Sequence, residues 1–164
     1  MMDGHKDVLK VLLVSPLPPP SGGIATWTKK YVNWTKGKNI HVDIVNTAVV
    51  GTRLDKINSR RKLLDEAKRT KDILKELIAK LNCNSANIAH INTSCGAYGV
   101  IRDYIFAKII KKKGISLIVH YHCNIEDQVK NRKIQKKFFQ MLSKTADINL
   151  VLNKSSQKYI KVVS

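Results

Sequence analysis

Apolar residues along this chain follow two alternating rhythms. "VLKVLLVS", Val8 to Ser15, is an almost continuous aliphatic run with one lysine, the pattern of a strand buried on both faces of a parallel sheet. Three consecutive prolines then forbid helix and strand pairing alike. After Ser21, which reads as an N-cap, Ile24, Trp27, Tyr31 and Trp34 recur at spacings of three, four and three. That period predicts a helix with these residues on one face and Lys29, Lys30, Asn33 and Lys36 on the other, ended by "KGKN".

"IHVDIVN", Ile40 to Asn46, alternates apolar and polar positions and predicts a second strand, with a polar loop from Thr47 to Arg60. Leu63, Ala67, Thr70, Leu74, Leu77 and Leu81 trace a helix of about five turns. "ANIAHIN" predicts a third strand ending near Asn92. "TSCGAYG" then turns the chain into a helix carrying Val100, Ile101, Tyr104 and Ile105. That helix ends on Lys111, Lys112, Lys113 and Gly114, cations at the C-terminal dipole before a C′ glycine. "ISLIVHYH" predicts strand four; Ile134, Phe138, Met141 and Leu142 mark the next helix, and "DINLVLN" strand five.

Strand and helix alternate five times, which predicts an α/β fold: one Rossmann-like domain over residues 8–164, with a doubly wound, mainly parallel sheet and helices on both faces. Residues 1–7 read as a flexible N-terminus. Ligands of such sheets bind beyond the carboxyl ends of the strands, where strand order reverses. That edge is expected to collect Ser15 to Gly23, Asn46, Asn92 to Gly96, His120 to Asp127 and Asn153.

Composition changes the picture mainly through charge. Thirty Lys and Arg against twelve Asp and Glu give +18 and a pI near 10.0. Such a balance implies an anionic partner, or else a solvated lysine-rich surface. No helix-turn-helix, zinc-finger or RNP pattern points to specific nucleic acid. No apolar run is long enough to cross a bilayer, and no signal-peptide h-region stands near the N-terminus. Cys83, Cys95 and Cys123 form no CxxC pair and leave an odd one over, as in a reduced, cytoplasmic chain.

The candidate chemistry sits on short motifs. Gly22-Gly23 between strand one and helix one suits phosphate held by bare N–H groups, or equally a tight connection and nothing more. It matches neither GxGxxG nor GxxxxGK[ST]. "VHYHCN" sets His120 and His122 on one side of strand four, as hydrogen-bonding or acid-base groups, as structural residues, or with Cys123 as half a zinc site. Glu126 and Asp127 form a carboxylate pair, or the favourable first turn of a helix.

Taken together, "KVLLVSPLPPPSGGIATWTKKYV", "AHINTSCGAYGVIRD", "LIVHYHCNIED" and "ADINLVLNKSSQKYI" resemble the N-terminal, acceptor-side half of a family-4 glycosyltransferase of the GT-B fold, from Val8 nearly to the end. The resemblance implies transfer of a sugar from a nucleotide-sugar, with retention and without bound metal or other cofactor, to a glycan or lipid-linked acceptor in cell-surface synthesis. It implies donor contacts at Gly22 and Gly23 and a catalytic contact near the donor sugar at His122. Asn92, Thr93, Ser94 and Tyr98 fall on the acceptor-side loop. Such enzymes are more than twice this length, and no E-x7-E motif or diphosphate-gripping basic residue follows Lys161. The expectation is a fragment, a split-gene product or half of a two-chain enzyme, inactive without a donor-binding domain and docked peripherally on an anionic membrane. The alternatives are a non-catalytic Rossmann-type regulatory domain and a basic nucleic-acid-binding module.

Overall fold

A computed structural model of the chain describes residues 8–48, 63–83, 85–129 and 132–163. The expected flexible N-terminus, residues 1–7, and most of the expected loop after Thr47 lie outside them. Five strands, β1 (Leu9–Ser15), β2 (Ile40–Asn46), β3 (Ile88–Thr93), β4 (Ser116–Tyr121) and β5 (Ile148–Val151), form one all-parallel sheet in the order β2-β1-β3-β4-β5. Between and after them run α1 (Gly23–Thr35), α2 (Leu63–Cys83), α3 (Ala97–Lys112), the short α4 (Ile125–Val129), α5 (Lys133–Thr145) and α6 (Lys154–Val163). The α/β fold and every expected strand are present.

Order explains which helix covers which face. The chain steps outward from β1 to β2, then back across β1 to β3 and onward. Right-handed crossovers taken in opposite directions place their helices on opposite faces. So α1 lies on one face, and α2, α3 and α5 on the other. β1 is central and its residues from Val11 onward are buried, whereas in the edge strand β2 only Val45 is fully enclosed.

The main core lies on the face opposite α1. Leu12, Val14, Ala89, Ile91, Leu117 and Val119 point there and meet Leu77, Phe106, Ile110, Phe139 and Leu142. Tyr121 packs edge-on against Phe139 at 5.4 Å and donates its hydroxyl hydrogen to Asn149 Oδ1 at 3.0 Å. An ion pair from Lys80 to Asp43 holds α2 to β2. Gly114, at φ +73, closes α3 in the left-handed conformation expected of a C′ glycine.

The inward stripes differ from those the period suggested. On α1 the buried residues are Ala25, Thr28 and Thr35, while Trp34 is 59% exposed. The sheet beneath is polar there, and Ser15 meets Thr28 at 2.5 Å, so a small hydroxyl fits where an aromatic ring does not. On α3 the enclosed residues are Val100, Asp103, Phe106, Ala107 and Ile110; Ile101 and Tyr104 are half-buried and Ile105 is exposed. On α5, Phe139 and Leu142 turn inward with Gln135, and Ile134 is 70% exposed. The N-cap of α1 is Gly22 rather than Ser21, and no side chain caps it.

Candidate functional site

The direction of winding reverses between β1 and β3, so the loops leaving their carboxyl ends diverge to opposite faces and a crevice opens between them. A cavity of about 450 Å³ lies there. One wall is the turn after β1 with the first residues of α1, Gly22 to Ala25; the other is Asn92, Ser94 and the first turn of α3, Gly96 to Gly99.

Local sequence sets both walls. Asn46, at the end of β2, accepts from the backbone N–H groups of Leu17 at 3.0 Å and Ala48 at 2.9 Å, tying the proline loop to the β2 loop. In α1 the first intrahelical bond runs from Thr26 N–H to Gly22 O at 2.8 Å, and in α3 from Val100 N–H to Gly96 O at 2.9 Å. Neither N-terminus carries a side-chain cap or an acidic residue in its first turn. Both therefore present first-turn N–H groups and the positive end of a helix dipole to the crevice. A Cβ on Gly22 or Gly23 would meet nothing within 4 Å. Bare backbone at these positions leaves room beside the cavity. Cys95 holds the approach to α3 at φ +57, and its carbonyl accepts from the side chain of buried Gln135.

Behind the cavity a hydrogen-bonded chain crosses the sheet. Thr28 Oγ1 donates to Ile24 O at 2.9 Å, and Ser15 Oγ bridges Thr28 and the Asn92 amide, whose Nδ2 donates to it at 2.9 Å. Asn92 Oδ1 lies 3.0 Å from His122 Nε2. An amide oxygen only accepts, so His122 carries its hydrogen on Nε2 and keeps the Nδ1 lone pair when neutral. The ring also lies against His120, centroids 3.9 Å apart and planes tilted by 38°, and Trp27 of α1 meets the rings of His90, His120 and His122 edge-on at 5.5, 5.3 and 5.4 Å. Burial, then the neighbouring His120 and His122, pushes His90 down to about 4; burial and His120 push His122 down to about 4. Burial lowers His120 as well.

Gly22, Gly23, Asn92, Ser94 and Tyr98 line the cavity together. Thr93 does not. It is buried, its carbonyl accepts from His122 N–H at 2.8 Å and its hydroxyl from Cys95 N–H at 3.1 Å. His122 lies outside the lining and reaches it through Asn92. Glu126 and Asp127 occupy the first turn of α4, with Asp127 accepting from Asn124 at 2.7 Å. Among the described residues no three histidine, cysteine or carboxylate side chains are placed to hold a metal ion.

Sequence reasoning gave no role to five residues here. His90 is legible from alternation in β3, where it shares a face with Asn92. Arg102 and Asp103 end the motif "AHINTSCGAYGVIRD" without a role read from it; their place depends on the orientation of α3, and both line the cavity, as do Glu66 and Arg69 of α2. Arg69 pairs with Glu66 at 3.4 Å and donates to Thr47 O. No protein-family model matches this sequence, and neither does any curated protein.

Proposed function

We propose that this chain is the acceptor-side domain of a retaining glycosyltransferase that uses a nucleotide-sugar to extend a glycan or lipid-linked acceptor. The observation that carries the reading is the crevice at the switch point, in which the Gly22-Gly23 turn faces the Asn92–Tyr98 loop with His122 joined to it through Asn92. The acceptor occupies the crevice. The exposed Gly22-Gly23 backbone approaches the donor diphosphate, and His122, neutral at pH 7, contacts the donor sugar. Donors fixed around the charge developing on the departing diphosphate stabilise it in the transition state. This domain supplies such donors from one side, and a donor-binding unit, in a continuation of the chain or a second chain, supplies the other.

The test is an assay of the purified 164-residue chain against a panel of nucleotide-sugars, alone and mixed with a separately expressed donor-binding domain. Transfer is expected only on mixing, and robust turnover by the chain alone overturns the two-unit reading. Gly23→Val should cut that transfer while leaving the fold intact, because a Cβ there meets no neighbour within 4 Å and Gly23 lines the crevice. His122→Ala should lower turnover far more than stability.

A further inference from the structure

Two of the cysteines stand together at the carboxyl edge of the sheet, and the proposed transfer uses neither. The ladder between β3 and β4 ends on the pair Thr93 and Tyr121, closed by the bond from His122 N–H to Thr93 O at 2.8 Å. Cys95 and Cys123 each lie two residues beyond that pair. Neighbouring strands run about 4.7–4.9 Å apart, inside the Cα separation of roughly 4.4–6.8 Å that a disulfide spans. Side chains two residues apart on a strand share a face, and Tyr121 turns into the core against Phe139. Cys95 is buried in that same core, Cys123 packs half-buried against it, and a hydrogen bond joins the two thiols.

Access and reactivity divide between them. Cys123 is partly exposed, and its bond to Cys95 holds its thiol below the ordinary value, which favours the nucleophilic thiolate. Cys95 is fully enclosed, and that bond together with burial pushes its thiol up. The first is placed to meet an oxidant from solvent, and the second to meet only the first. Cys83 stands apart from both, exposed at the end of α2, where the chain turns back toward the amino end of β3.

We propose that Cys95 and Cys123 form a reversible disulfide when the protein meets a hydroperoxide, tying the loop that carries Ser94 and Gly96 to the chain leaving β4 next to His122. Cys123 Sγ attacks one peroxide oxygen, the O–O bond breaks, and the other oxygen leaves as water or an alcohol, giving a sulfenic acid on Cys123. Cys95 Sγ then attacks Cys123 Sγ; the S–S bond forms, the S–O bond breaks, and the hydroxide leaves as water with the Cys95 proton. The two thiols lose two electrons in all, and the peroxide gains them. A dithiol reductant returns both electrons through a mixed disulfide. Ser94 and Gly96, on either side of Cys95, line the crevice, so the bridge fixes one of its walls from behind. None of this rests on the transferase reading.

The test treats the reduced full chain with hydrogen peroxide, blocks remaining thiols with N-ethylmaleimide and reads the peptides by mass. The peptide holding Cys95 is expected joined to the one holding Cys123, lighter by two hydrogens, with Cys83 outside the bridge; dithiothreitol should restore both thiols. The bridge should form at least tenfold faster in the folded chain than in urea, where nothing favours this pairing over those with Cys83. Cys83→Ser should give the same bridge. Cys95→Ser should leave Cys123 as a sulfenic acid that dimedone captures. If that variant fails to fold, Cys123→Ser takes its place and should leave enclosed Cys95 unoxidised. Amide hydrogen exchange from Ser94 to Gly99 should slow in the oxidised chain and recover on reduction. Oxidation of Cys123 to sulfinic acid with Cys95 still free, bridges made through Cys83, equal rates in the folded and unfolded chain, or unchanged exchange in the loop overturns the proposal.

Discussion

Three imidazoles share the space beneath Trp27, and their chemistry is set by that crowding. His90 is 6% exposed, its Nε2 lacks a partner among the described residues, and its neighbours would repel its proton. Between pH 6.5, the ordinary histidine value, and about pH 4, the unfolded chain takes up a proton that folded His90 refuses. Stability is thus full above this window and is lost as pH falls through it, by about 2 kcal/mol from pH 7 to pH 5 for His90 alone. Urea titrations at those two pH values should show this loss, and His90→Phe should reduce it, leaving the part contributed by His120 and His122. An unchanged pH dependence in His90→Phe would remove His90 as its source. The cysteines offer a second residue-scale test. A hydrogen bond to Cys123, with burial, pushes the Cys95 thiol well up, and the same bond pulls Cys123 down. Iodoacetamide should therefore modify exposed Cys83 and then Cys123, sparing Cys95 until the chain unfolds. Early labelling of Cys95, read by peptide mass, contradicts this environment.

At the scale of elements, rhythm and punctuation are local properties, which is why strand positions and helix spans were legible. Gly37 and Gly114, both at positive φ, end α1 and α3 near where their residue types suggest. Which side of a helix turns inward depends instead on what the sheet presents. α1 meets Ser15 and the histidines, so Thr28 goes in and Trp34 stays out. α5 turns Gln135 inward because the Cys95 carbonyl needs a donor, and this rotates Phe139 rather than Ile134 into the core. The glycine turn and Asn92–Tyr98 loop were readable as one edge of an α/β sheet, whereas Asp103 was not, since nothing local distinguishes it from a solvated helix position. The orientation of α5 has a direct consequence. Phe139→Ala should destabilise the fold by about 3–5 kcal/mol, the usual cost of emptying an enclosed aromatic site. Ile134→Ala should change stability by less than about 0.5 kcal/mol. Denaturant midpoints of the two variants measure this, and comparable losses would mean that α5 is rotated from the orientation described.

Over the whole molecule the excess of cations is divided. Lys111 is held by Asp147 at 2.7 Å, a contact that, together with the Leu117 N–H, keeps the Asp147 carboxyl below its usual range. Lys112 and Lys113 lie where α3 ends, beside the amino ends of the strands, while Lys29 and Lys30 are exposed on α1. These cations thus fall on two regions of the surface, and on α1 they stand with an exposed aromatic. Trp34 stands out beside them with Lys38 over its ring at 4.2 Å, an amphipathic pairing suited to the headgroup layer of a bilayer. Among the described residues no helix is long and apolar enough to cross a membrane. Each cation near an anionic surface contributes roughly 1 kcal/mol, screened over about 8 Å at physiological salt. The docking reading therefore predicts binding to anionic vesicles in excess of neutral ones, declining steeply as salt rises. Trp34→Ala should weaken binding at every salt concentration without altering that slope, because it removes apolar contact and no charge. Lys29→Glu with Lys30→Glu should flatten the slope itself. Co-sedimentation of the four combinations, two vesicle types at low and high salt, separates the two contributions. Equal binding to neutral and anionic vesicles, or a double charge reversal that leaves the salt slope intact, would exclude α1 as the docking face and return the positive charge to the role of a solvated surface.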